Sequence, residues 1–178
     1  MRLYVKNSVD IKKMVLLAVL TSQALVLSVI ESWFPFSVGI PGIKLGLSNI
    51  IIIVALIFFS LSNTLAIVLV KCVLSSLFMG GPIIFTFSIC GGILSTLIMC
   101  IMLKYMEKWF SLIGISIAGS IAHNTGQIMI ACFIMNDLSV IGYLPVLLLA
   151  GIIMGTFVGI CSTYFVKGLK KLNIISNL

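Results

Sequence analysis

Charge is scarce in this 178-residue sequence: 8% of its residues are charged, and only Asp10, Glu31, Glu107 and Asp137 are acidic. Four scattered carboxylates leave no acidic cluster to hold magnesium for diphosphate chemistry. The single histidine, His123, has apolar neighbours and no second metal-ligating partner, so no metal site is expected. No GxxxxGK[ST] phosphate loop occurs, which excludes ATP hydrolysis by the usual route. No Ser-His-acid or Cys-His set is suggested either, so no catalytic residues, no cofactor and no enzymatic activity are expected of the chain alone. The cysteines, Cys72, Cys90, Cys100, Cys132 and Cys161, lack the pairings or spacings of disulfides and zinc sites. They read as small buried hydrophobes.

Apolar residues make up 61% of the sequence and mean hydropathy is +1.33. A soluble domain of this length cannot hide that much apolar surface, so the expected fold class is all-α: a polytopic membrane protein and a single integral membrane domain over 1–178. A span needs about 20 apolar residues. Candidate helices cover about 14–31, 44–60, 63–80, 83–103, 111–135 and 139–166, which makes six transmembrane helices. Breaks fall at Pro35 to Pro41, Ser60 to Asn63, Gly80-Gly81-Pro82, Lys104 to Phe110 and Asn136-Asp137. The first segment is too long for a signal-peptide core and lacks a small-x-small cleavage site before Glu31, so it reads as a retained helix.

Net charge is +7, but its placement argues for topology rather than nucleic-acid binding. Arg2, Lys6, Lys12 and Lys13 precede the first span, Lys104 and Lys108 separate two later spans, and Lys167, Lys170 and Lys171 follow the last. With both termini cytoplasmic, all of these lie inside a bacterial cell membrane and only Lys44 lies outside.

Three polar features interrupt the apolar runs. The stretch IPGIKLGLSN, residues 40–49, opens the second span with helix breakers and a cation, Lys44, followed by Asn49. Lys71 stands near the middle of the third span, where insertion scales put an unpaired lysine at roughly +3 kcal/mol. The fifth span carries Ser116, Ser120, Asn124 and Gln127 on one helical face, with His123 at its border. Intramembrane polar groups face a bundle interior or a cavity. Two lysines with so few counter-ions point to an anionic ligand held by Lys44, Asn49, Lys71, His123, Asn124 and Gln127. The alternative for the fifth span is an interhelical hydrogen-bond network. Gly151, Gly155, Gly159 and Thr163 form a small-residue stripe on the sixth span, read chiefly as internal packing, and Ala18-x3-Ser22 forms another on the first.

The strings PG-x-KLGL-x-N (Pro41 to Asn49) and AHN-x-GQ (Ala122 to Gln127), together with FMGGPIIFTFSICGGILS from Phe78 to Ser95, resemble the Gx transporter family, also labelled heptaprenyl diphosphate synthase component I. The similarity runs from about residue 14 to 168. Lys71 departs from the pattern, in which an arginine is expected; charge survives, bidentate anion geometry does not. The family looks like the six-helix S components of energy-coupling factor transporters. That resemblance implies an outward-opening site between the loop after the first helix and helices three to six. It also implies docking through Ala18 and Ser22 to a coupling module, a transmembrane protein with two ATPases. The implied ligand is a small anionic or amphipathic vitamin-, quinone- or isoprenoid-related molecule. A second implication is a non-catalytic partnership with a polyprenyl diphosphate synthase or a quinone-linked extracellular electron-transfer system.

Overall fold

The computed structural model describes residues 2–33, 46–79 and 81–171. Among them there is no strand; the elements are α1 (Arg2–Trp33), α2 (Asn49–Phe58), α3 (Leu61–Met79), α4 (Pro82–Tyr105), α5 (Leu112–Met135), a 3-10 turn (Leu138–Tyr143) and α6 (Leu144–Lys171). Lys44 and the breakers Pro35, Pro41 and Gly42 lie outside the described residues.

The second helix departs most from the expected span at 44–60. Gly46 sits at φ +89°, a conformation that suits glycine and interrupts a right-handed helix. The next amides bond back by three residues, Asn49 N–H to the Gly46 carbonyl at 2.9 Å and Ile50 N–H to that of Leu47 at 3.1 Å. The ten residues of α2 therefore rise only about 15 Å, half of a hydrocarbon core. Its middle, Ile51 to Ala55, is at most 3% exposed. A helix that is apolar all round belongs inside other helices. It packs on α1, α3, α4, α5 and α6 alike.

Around this central half-helix the other five form an open ring in the order α1, α3, α4, α5, α6. The ring does not close. Between α6 and α1 lies an apolar groove of about 410 Å³, whose lining includes Ser22, Val26, Ile50 and Phe165.

The joints follow local chemistry. Phe59 turns extended after α2 and α3 begins two residues later, so no charge is needed at the 60–63 break. Gly81 at φ +82° and Pro82 at the first helical position start α4. The Ser111 hydroxyl accepts the Gly114 amide at the start of α5. Asn136 ends α5 in the left-handed region. Asp137 then accepts from the Ser139 amide and hydroxyl, which hold its carboxyl below the usual carboxylate range.

Among the described residues five helices are long and apolar enough to cross a membrane. Leu69, Val73, Leu77, Phe78, Ile153, Phe157 and Tyr164 cover the outer surface. In water so wide an apolar surface would drive aggregation; against lipid it is the solvent-facing side. The chain is a multi-pass membrane protein.

Candidate functional site

The start of α2 is where buried polar groups gather. Glu31, near the end of α1 and 6% exposed, accepts hydrogen bonds from the amides of Gly46 and, at 3.2 Å, Leu47. A carboxylate bound to backbone N–H groups at a helix start is a charge-assisted cap. One residue on, the Lys71 amine of α3 donates to the Ser48 hydroxyl at 2.8 Å. Lys71 is 3% exposed and stands at the middle of α3, so this contact lies deep in the bundle. A lysine amine carries more than one N–H. Ser48 takes one.

Asn49 and His123 complete the cluster. Both are buried, and a Cβ placed on Gly46 would lie 2.9 Å from Asn49 Nδ2 and 3.7 Å from His123 Cδ2. The two side chains therefore converge over the glycine. Among the described residues the amide nitrogen of Asn49 has no hydrogen-bond partner. On its other side the His123 ring rests on Gly91 of α4, where an added Cβ would come within 3.0 Å of the imidazole. Glycine at 46 and at 91 thus makes the room that the histidine occupies. The start of α2 thus has two buried N–H donors near it, the Lys71 amine at Ser48 and the Asn49 amide at Gly46, in a setting where an unpaired polar group is costly. Such a pair suits an acceptor-rich, anionic group.

Of the residues expected at the site, Asn49 and His123 meet over Gly46, and Lys71 reaches the neighbouring Ser48. Asn124 does not join them: its Nδ2 donates to the Leu147 carbonyl of α6 at 2.7 Å. Ser116 and Ser120 lie on the same seam, against Gly159 and Gly155 of α6. The polar face of α5 is thus largely a packing face, and its partner is the glycine stripe. Gln127 is fully buried on α5. Lys44 lies outside the described residues. Ala18 and Ser22 are exposed on α1, and Ser22 borders the open groove.

Glu31, Ser48 and the two spacing glycines are part of the cluster that residue patterns did not reveal. The signal for Glu31 was its rarity, since an acid this close to a span reads by default as functional. Glu31→Ala is expected to destabilise the protein by about 2–3 kcal/mol, because two amides lose a charged acceptor. Thermal unfolding in detergent measures this, and Glu31→Gln should recover part of the loss.

No curated protein and no solved structure matches the chain. Residues 20–165, which include the whole of α2 to α5 and the cluster just described, match a protein-family model, and the chain belongs to that family, described as heptaprenyl diphosphate synthase component I.

Proposed function

We propose that this protein is the substrate-binding membrane component of an uptake transporter, taking a small anionic or amphipathic ligand of the vitamin, quinone or isoprenoid kind. The observation that carries this reading is Lys71: a buried amine in mid-helix whose described acceptor is a neutral hydroxyl. A ligand carboxylate or phosphate would supply the missing charge. Lys44, Asn49 and His123 would surround it, with Gln127 behind and Asn124 holding α6 in place. The energy would come from partners, a transmembrane coupling protein with two ATPases, docked through the α1 face that bears Ala18 and Ser22. Both termini would then face the cytoplasm of a bacterial cell.

The family description favours a second reading, a non-catalytic membrane partner of a prenyl diphosphate synthase. The word synthase does not transfer as an activity. Prenyl elongation uses acidic magnesium ligands, and among the described residues no three of His, Cys, Asp and Glu converge as a metal site.

Native mass spectrometry of protein extracted in mild detergent separates the two. The transporter reading expects a retained anionic small molecule that is missing from a Lys44→Ala variant. Release of lipid alone, equally from both proteins, would sink it and favour the partner reading.

A further inference from the structure

The opposite end of α2 meets a second pocket, of about 260 Å³, with an apolar floor of Ile57, Leu103, Ile115 and Val166. Glu107 and Lys170 stand in its lining, between the end of α4, the start of α5 and the end of α6. Neither belongs to the cluster around Lys71. The helix ends around it are rich in lysine: Lys104 and Lys108 stand next in sequence to the lining residues Leu103 and Glu107, and Lys167 and Lys171 next to Val166 and Lys170; all four are exposed. Glu107 is the one acid in the lining.

Aromatic residues mark the depth. Tyr105 is 71% and Trp109 84% exposed, and the Lys104 amine lies 5.4 Å above the Tyr105 ring. Exposed Trp and Tyr beside lysines at the end of spanning helices identify the headgroup level of a bilayer. A pocket of this size is smaller than a complete ligand site for a drug-sized molecule. It suits part of a larger amphiphile whose remainder stays in the membrane.

We propose that this pocket is a binding site for an anionic phospholipid. The headgroup phosphate sits at Lys170, the lysine of the lining, with the other exposed lysines of the same helix ends adding to the positive field, and the upper part of one acyl chain covers the apolar floor. Basic pockets between spanning helices recognise anionic headgroups in this way. Glu107 tunes the site by opposing the phosphate. The inference is independent of the ligand reading at Lys71, because the two sites share no residue.

The test uses the full chain in mild detergent with equal amounts of phosphatidylglycerol and phosphatidylcholine of matched acyl chains, read by native mass spectrometry. The wild type is expected to retain phosphatidylglycerol in preference. Lys170→Ala should reduce that preference about five-fold, the effect of one lysine at an anionic surface, and Glu107→Gln should increase it. Both side chains are exposed, and unchanged thermal unfolding would confirm that the variants fold. Equal retention of the two lipids by the wild type overturns the proposal. So does a shift of both variants in the same direction. Displacement of phosphatidylglycerol by millimolar inorganic phosphate also overturns it, since the site would then be one for soluble anions.

Discussion

Lys71→Met is expected to abolish ligand retention while leaving the protein folded and at least as resistant to heat as the wild type. The two halves of that outcome have different causes. Lys71 is buried to 3% exposure, and its described hydrogen bond goes to a neutral serine hydroxyl, so the fold gains little from it. Replacing a buried charged group by an apolar side chain of similar volume is often neutral or stabilising by about 1–4 kcal/mol. A ligand that uses this amine loses a buried, charge-assisted contact, worth about 2–5 kcal/mol, which is thirty-fold or more in affinity. Equilibrium binding of the anion recovered from the wild type, run alongside thermal unfolding, measures both. A variant that is unstable and still binds would show that Lys71 serves the fold instead.

Ser48→Ala sharpens the comparison because it removes the hydroxyl and keeps the amine. If Ser48 only satisfies Lys71, the variant is less stable and Lys71→Met suppresses the defect. If Ser48 orients the amine toward a ligand, binding weakens with little change in stability. Measuring both single variants and the double gives the coupling directly.

Much of this arrangement was legible from residue order. Gly80-Gly81-Pro82 and Asn136-Asp137 are strong punctuation, and helices end and begin there because left-handed residues and proline permit nothing else. Lys71 announced itself as a buried amine by standing alone in an apolar run. The length of α2 was not legible. Past Ser48 and Asn49 apolar residues run unbroken from Ile50 to Phe59, and a half-length helix enclosed by five others has the same composition as part of a full span facing lipid. What shortens it is the left-handed turn at Gly46, whose amide and the next are held by Glu31, fifteen residues upstream. That is a tertiary contact, and no local spacing encodes it. The polar face of α5 was visible, but its direction was not. His123 and Asn124 are adjacent, so about 100° separates them around the helix, and one meets α4 while the other meets α6. Only the packing partner tells a binding wall from a seam.

That seam carries the second large effect, and its glycines are not equivalent. A Cβ added at Gly155 would lie 2.6 Å from the Ile117 Cα and 3.1 Å from that residue's backbone nitrogen; at Gly159 it would lie 2.6 Å from the Ile113 Cα. Backbone cannot step aside as a side-chain tip can, so α5 and α6 would have to separate along their whole contact. Separation also strains the hydrogen bond from Asn124 to the Leu147 carbonyl, which ties the same interface near the start of α6. Overpacking of this kind costs about 1–3 kcal/mol per site, and Gly155→Ala with Gly159→Ala in one chain should leave little folded protein in detergent. Gly119→Ala is expected to be milder, although its Cβ would come within 2.5 Å of Met99 Sδ, because a thioether chain can change rotamer. Gly168→Ala, with nothing within 4 Å of the new Cβ, should be neutral or stabilising by a few tenths to about 1 kcal/mol through helix propensity. Size-exclusion profiles and unfolding temperatures of the four proteins rank these cases. If the Gly155→Ala, Gly159→Ala double variant proved as benign as Gly168→Ala, the close approach of α5 and α6 would be wrong, and with it the reason that Asn124 faces away from the cluster around Lys71.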